Sequence, residues 1–388
     1  MISIPVNTPL LDGNEKKYLD ECIDTGWISS EGPFIKQFEE KFAAKVGRKY
    51  GIAVCNGSVA LDTAVVALGL KEGDEVIIPT FTIISCAAAI VRAGAKPVLV
   101  DSDPATWNMD VEKLAEKLHD EIDVNGNEKI KAIMVVHIYG LPVDMDPVLT
   151  LASKYNLLII EDAAEMHGQT YNGKPCGSFG EISTFSFYPN KHVTTGEGGM
   201  IVTDNQVYAE KCRSLRNLCF QPAKRFVHEE LGWNFRMSNI QAALGVAQLE
   251  RLDEFVGRKR EMGKRYTENF KLLTDVRLPV STMTYAENIY WVFGLVIVNG
   301  KYLNAEQAMQ KLAAVGIGTR PFFYPMHMQP VFNKMGLFLG ERYPVAEYLA
   351  EKGFYIPSGI GLTVENIDQV SSSVLDLFYK LHPLCQII

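Results

Sequence analysis

Between about residues 48 and 250 the chain repeats one pattern: a short uninterrupted apolar run, then a helical segment. The runs are YGIAVC (50–55), EVIIP (75–79), KPVLVD (96–101), KAIMVVHIYG (131–140) and NLLIIED (156–162). NGSVALDTAVVALGL (56–70), TIISCAAAIVRAG (82–94) and VLTLASKY (148–155) are the helical segments among them. A strand that is apolar on both faces has to be covered on both faces, as happens when helices flank a mainly parallel sheet. The pattern predicts an α/β sandwich, extended by strands at 185–188 and 199–203 and a helix at 205–218. Upstream, Pro33 opens PFIKQFEEKFAAKVG, where Phe34, Phe38 and Phe42 recur at helical spacing and Gly47 is the stop. Helical patterning returns over 237–272. A strand at 290–298, a helix at 304–314, a short strand at 352–357 and a helix at 365–380 then form a smaller mixed α/β unit. The expected division is a large domain over 1–250, with the N-terminal segment, and a small C-terminal domain over 251–388.

Composition narrows the function classes. Lys and Arg total 38 against 46 Asp and Glu, a net charge of −8, which argues against a nucleic-acid partner. With 47% hydrophobic and 22% charged residues the chain is globular and not disordered. Cys22, Cys55, Cys86, Cys176, Cys212, Cys219 and Cys385 form no CxxC pair and read as reduced thiols of a cytoplasmic protein. The first residues lack the basic and apolar regions of a signal peptide, and no run of 18 apolar residues occurs, so no membrane partner is expected.

No phosphate-binding GxxxxGK[ST] run, post-strand GxGxxG, HExxH, EF-hand loop or nucleophile elbow is present. The seven histidines do not cluster at ligand spacing, so no metal is expected. What remains sits at strand ends. Asn56-Gly57-Ser58 lies where an apolar strand turns into a helix, which suits a phosphate or a plain helix cap. Asp162 ends LLIIED, at the edge where open α/β sheets place ligands, or is a buried structural acid. Lys191 lies in SFYPNKHVTTGEGG, a turn-rich stretch where a lone lysine is ordinarily a surface residue. Together a phosphate cup, a strand-end acid and a loop lysine are the parts of a pyridoxal phosphate site.

SFYPNKHVTTGEGGM (186–200) resembles the cofactor-lysine segment of the DegT/DnrJ/EryC1/StrS family of sugar aminotransferases. DTGWISSEGP (24–33), CNGSVAL (55–61), HIYGLPVDM (137–145), IIEDAAEMHG (159–168), LGWNFRMSNIQAALGVAQLERL (231–252) and TRPFFYPMHMQP (319–330) extend the likeness along nearly the whole chain. The resemblance implies the aspartate-aminotransferase type of pyridoxal-phosphate-dependent transferase fold: a large α/β/α sandwich domain plus a small mixed α/β C-terminal domain. It also implies a homodimer with shared active sites. Pyridoxal 5′-phosphate is the implied cofactor, cycling through pyridoxamine 5′-phosphate. L-glutamate and a nucleotide-linked 4-keto-6-deoxy sugar are the implied substrates, GDP being the expected nucleotide and UDP or dTDP the alternatives. By motif position Lys191 carries the Schiff base and is the catalytic base, Asp162 meets the pyridine nitrogen, and Glu165 lies near the phenolic oxygen, where relatives often have Gln. Gly57, Ser58 and Ser186 hold the phosphate, joined by Asn234 from the other subunit. Trp27, Ser29, Arg320, Tyr324 and His327 are the substrate-side candidates. One departure is Ile83, where relatives often carry an aromatic that stacks on the pyridine ring; Phe81 is nearby. Some relatives exchange the lysine for histidine and become dehydratases; here Lys191 is retained beside His192, which favours transamination over that rival and over a decayed scaffold.

Overall fold

The computed structural model describes residues 3–221, 223–298 and 303–379; Cys385 and the last residue of the expected 365–380 helix lie outside them. Two helices open the chain, α1 (Glu15–Thr25) and α2 (Pro33–Lys45). The alternating region gives β1 (Tyr50–Val54), α3 (Gly57–Ala67), β2 (Glu75–Pro79), α4 (Ile84–Arg92), β3 (Lys96–Val100), α5 (Val111–Leu118), β4 (Ile130–Val136), α6 (Met145–Tyr155) and β5 (Leu158–Asp162). A two-stranded hairpin, β6 (Thr170–Tyr171) and β7 (Lys174–Pro175), precedes β8 (Ile182–Ser186), β9 (Gly199–Thr203) and α7 (Gln206–Arg216). The seven long strands form one sheet in the order β1-β9-β8-β5-β4-β2-β3. Only β9 runs antiparallel to its neighbours in it, so β1, β8, β5, β4 and β2 all end at the same edge.

The uninterrupted apolar strands are explained by where their side chains go. Ile77, Ile133, Val135 and Ile159 pack on the face covered by α2, α5 and α6, together with α8 (Asn239–Leu249). Val76, Ile78, Ala132, Met134 and Ile160 point the other way, against α3 and α4. Ile52, Val54 and Ile201 meet α3 and α7. Successive side chains alternate between faces, so a strand sandwiched by helices has to be apolar at every position.

Helix ends follow the local chemistry. Pro33 occupies the first turn of α2, and Gly47 just beyond it adopts φ +70°. Asn56 caps α3 by accepting the Val59 N–H at 3.0 Å. Ser238 and Gln241 close a capping box on α8. The helical stretch expected over 237–272 is two helices, broken at Glu250–Arg251 between α8 and α9 (Leu252–Phe270). The strand expected over 131–140 leaves the sheet after Val136, because Tyr139 and Gly140 turn with φ +57° and +105°. α1 and α5 carry no expectation from the sequence pattern.

The second sheet begins with β10 (Val276–Arg277); a hairpin of β11 (Thr282–Met283) and β12 (Ala286–Glu287) leads into β13 (Phe293–Ile297). After α10 (Ala305–Ala314) come β14 (Arg320–Pro321), α11 (Pro330–Lys334), α12 (Pro344–Lys352), β15 (Gly353–Ile356) and α13 (Val364–Tyr379). The order is β10-β13-β15-β14. Its core gathers Tyr266 and Phe270 of α9, Phe293, Leu295, Phe354 and the inner face of α13. Ile4 belongs to this core as well, through a parallel bridge to Ile317, and the Ser358 N–H donates to the Val6 carbonyl at 2.9 Å. The first described residues therefore join the C-terminal unit, whereas the sequence division places them with the large domain.

Gly245 of α8 tests how tightly the first layer is packed. A Cβ there would sit 2.6 Å from the buried ring of Phe38. Alanine gains about 1 kcal/mol of helix propensity, but overpacking a closed core costs roughly 1–3 kcal/mol. Gly245→Ala is expected to lower the urea midpoint with an unchanged m-value; a raised midpoint would show that Phe38 has room to move.

Candidate active site

A cavity of about 970 Å³ opens at the common edge where the parallel strands end. Asn56, Gly57 and Ser58, at the start of α3, form one wall with Ser186 from the end of β8. Gly57 is required there, since a Cβ would lie 2.6 Å from the Ser186 Cβ. The Ser58 and Ser85 hydroxyls are 2.7 Å apart. First-turn N–H groups have no carbonyl partner inside their helix, so this corner presents backbone donors, hydroxyls and the positive end of a helix dipole. It fits a phosphate dianion.

Asp162 closes β5 inside the cavity. One carboxylate oxygen accepts the Ala164 N–H at 3.1 Å and the other the Cys86 S–H at 3.2 Å. Burial pushes its pKa up; these hydrogen bonds and the charge of Lys191 resist the rise. Asp162 thus lacks a cation in hydrogen-bond contact, and a cationic ring nitrogen beside it would restore its ionised form.

Lys191 lies on the loop between β8 and β9, its amine buried in the cavity wall. Nζ is 3.7 Å from Glu165 Oε1 and 3.8 Å from the centre of the Trp291 ring. Burial lowers its affinity for a proton, while the carboxylates of Glu165 and Asp162 pull the other way. Glu165 is itself fixed by the Tyr139 N–H, which donates at 2.7 Å, and burial lifts its pKa to about 8. A carboxyl lifted to about 8 beside an amine whose hold on its proton burial weakens lets Lys191 become an uncharged nucleophile at modest cost. The residues present therefore fit a phosphorylated aromatic aldehyde: a cup for its phosphate, an amine for its carbonyl carbon and an acid for a ring nitrogen.

Ile83, 44% exposed at the start of α4, lines the cavity. Phe81 is turned away, fully buried 6.0 Å from the Tyr139 ring and 5.9 Å from that of Phe323. Asn234 is exposed and outside the lining, its backbone bridged to Asn217. Its neighbours Trp233 and Phe235, stacked at 5.1 Å, do form wall. Trp27 and Ser29 lie on the surface loop between α1 and α2, tied down when Asn239 donates to their carbonyls. Tyr324 is exposed outside the lining, whereas Phe323 is part of it. Arg320 pairs in register with Tyr355, a lining residue whose hydroxyl burial pushes up to about 12 and the Arg320 charge pulls back.

His327 corrects an expectation. It is buried outside the cavity with both ring nitrogens engaged, Nδ1 with the Thr80 hydroxyl at 2.8 Å and Nε2 with Glu347 at 3.1 Å. Its ring packs against Tyr343 at 4.9 Å. A histidine so enclosed holds α12 to the loop after β2 and lies outside the cavity wall.

Trp291, Tyr139 and Tyr355 carry no signal in the sequence. Each is an aromatic within an apolar run, the ordinary mark of core. His137, Glu161 and Cys176 bring potential ligand atoms within 4.8 Å of one another. Glu161, however, already accepts from His137 at 3.0 Å, from the Gly177 and Phe179 N–H groups at 2.5 and 2.9 Å and from the Ser183 hydroxyl at 3.0 Å. The group reads as a hydrogen-bond brace behind β5.

Replacing Glu165 by Gln removes the nearest carboxylate from Lys191. Since that carboxylate opposes the effect of burial, the pH midpoint for acylation of Lys191, followed by peptide mass spectrometry, is expected to fall in Glu165→Gln. An unchanged midpoint would show that Glu165 stays neutral throughout and contributes no charge.

Comparison with known proteins agrees with this arrangement. The chain is 43% identical over 372 residues to a protein named GDP-perosamine synthase from Caulobacter vibrioides, covering 96% of this chain and 97% of that one. It is 40% identical over 375 residues to another of that name from Escherichia coli O157:H7, covering 97% and 98%. Among solved structures, the aminotransferase TlmJ from Streptoalloteichus hindustanus superposes with a TM-score of 0.89 at 27% identity, over 97% of this chain and 99% of that one. The model of the DegT/DnrJ/EryC1/StrS aminotransferase family matches residues 9–375, and the chain belongs to that family.

Proposed function

We propose that the protein is a pyridoxal 5′-phosphate-dependent aminotransferase that moves the amino group of L-glutamate to a GDP-linked 4-keto-6-deoxy sugar, converting GDP-4-keto-6-deoxy-D-mannose to GDP-perosamine. The transamination is carried by one observation: the buried amine of Lys191 shares a cavity with the strand-end acid Asp162 and the phosphate cup at Gly57. The choice of nucleotide sugar is supported by the two relatives named GDP-perosamine synthase.

When bound, the cofactor supplies an electron sink for the carbon that loses or gains a proton, alternating between pyridoxal and pyridoxamine forms. Gly57, Ser58 and Ser186 hold its phosphate, with the partner subunit's Asn234 added in a homodimer. Asp162, ionised beside the ring nitrogen, keeps that nitrogen protonated. Glu165 lies by the phenolic oxygen and Ile83 covers a ring face with aliphatic carbon. Lys191 would hold the cofactor by its aldehyde carbon. As a neutral amine it would be the base that takes the proton from the glutamate Cα and later delivers one to sugar C4. Trp27 and Ser29, exposed on their loop, and Arg320 and Tyr324, outside the deep cavity, are assigned to the sugar and nucleotide side. The exposure of Trp27 and Ile28, each 49%, supports a second copy covering that loop.

The test combines one variant with a panel of substrates. Lys191→Ala is expected to retain pyridoxal phosphate without a covalent bond and to lose about 10⁴-fold in kcat/KM, the upper end for a positioned base. Wild-type-like turnover in that variant refutes the base assignment. With glutamate and GDP-, UDP- and dTDP-linked keto sugars in parallel, turnover is expected with the GDP sugar; turnover only with another nucleotide refutes the substrate.

A further inference from the structure

Behind the indole on which Lys191 rests lies a second buried amine, one that the proposed chemistry does not use. Lys259, in the middle of α9, is 1% exposed. Its Nζ donates to the Trp291 carbonyl at 2.7 Å and to the Ser358 carbonyl. Trp291 continues the connection. Its indole N–H donates to the Asn190 carbonyl at 2.9 Å, one residue before Lys191, and its ring centre lies 3.8 Å from the Lys191 amine. Ser358 in turn anchors β13, accepting the Phe293 N–H at 2.8 Å. Lys259 therefore grips the segment that places the indole. An unbranched apolar side chain would fill the same space without the cost of burying an amine against carbonyls alone. Packing does not account for a lysine here.

We propose that Lys259 is a positioning residue for Lys191, holding the segment that sets the Trp291 indole against the Lys191 amine. The proposal rests on Lys191 being the cofactor lysine. The groups that face Lys191 are Glu165 and Asp162 near the end of β5, Cys86 from α4, and His167 and His192. The carboxylates retain its proton. Burial drives His167 down to about 3 and His192 well below the usual histidine range, so both are neutral. Lys259, which faces Lys191 and His192, is lowered by burial to about 7. The charge of Lys191 adds to that lowering, while the face of the Trp291 indole, set against the Lys191 amine, favours the protonated form of Lys191.

Two readouts that a purely structural role would leave unmoved test this. One is the pH midpoint for acylation of Lys191 by trace acetic anhydride in the cofactor-free full-length chain. The other is the pH midpoint of the visible absorbance of the pyridoxal-phosphate-loaded protein. In Lys259→Met both midpoints are expected to fall by about half a pH unit, because the indole face no longer sits squarely against the Lys191 amine. Lys259→Arg, which keeps donors for the two carbonyls, is expected to restore them. In a Trp291→Phe background, Lys259→Met is expected to move the midpoints by less than half as much. A folded Lys259→Met protein with unchanged midpoints, or full additivity with Trp291→Phe, overturns the proposal. If the Met variant does not fold, Lys259→Gln is judged by the same midpoints. Lys191→Ala separates the two levels: a covalent cofactor absorbance that survives in it refutes the reading of Lys191 itself, whatever Lys259 does.

Discussion

An amine held in a closed wall has to be given partners, and the loops around the cavity are shaped by that need. Glu165 is the nearest carboxylate to Lys191, at 3.7 Å, and it is held by the Tyr139 N–H. That N–H is aimed by the left-handed turn at Tyr139 and Gly140. The turn is possible because Gly140 lacks a side chain: a Cβ would meet the backbone nitrogens of Tyr290 and Trp291 at 2.6 Å. Residues 288–292 lie directly against it, with the Ile289 N–H donating to the Gly140 carbonyl at 3.1 Å. The placement of one amine thus depends on a segment that precedes the long strand of the other sheet.

That segment is where the two sheets become one site. Gln169 donates to the carbonyls of Gly140 and Glu287, each at 2.8 Å, so a single side chain ties the large sheet's loop to the second unit. Phe322, Phe323 and Tyr355 bring aromatic surface from the second sheet onto Tyr139, with ring centres 4.9, 5.1 and 6.2 Å from it. Buried backbone groups have to be paired, and here they are paired across the boundary between units.

What the sequence disclosed followed from the range of its signals. A strand of both-face apolar residues fixes where its carboxyl end lies, so Asp162 and the Asn56-Gly57-Ser58 turn were readable as residues of one sheet edge; Ser186 was not, because the strand expected at 185–188 is Ile182–Ser186. Their shared role came from resemblance, since each taken singly has an ordinary structural explanation. Trp291 was not readable, because it meets Asn190 across 101 residues and no periodicity registers such a contact. His327 shows the converse. Thr80 and Glu347 decide that it is packed, and they lie 247 and 20 positions away. The break between α8 and α9 escaped for a different reason: Glu250 and Arg251 are good helix formers, and neither glycine nor proline marks the place.

Charge has to be argued locally for the same reason. The chain carries a net −8, yet the ligands proposed for it are phosphates and a dicarboxylate. Exposed charges are screened within about 10 Å at ordinary salt, so the acidic surface says little about the cavity. Inside, the positive terms are the first turn of α3, the amine of Lys191 and the buried amine of Lys259, all in a medium where a charge acts more strongly than in water. The negative terms are Asp162 and Glu165, and burial pushes both toward their neutral forms, as it does the two amines. An anionic ring compound with a protonated nitrogen then suits both ends: its phosphate meets the helix start, and its nitrogen returns Asp162 to the carboxylate that burial alone disfavours.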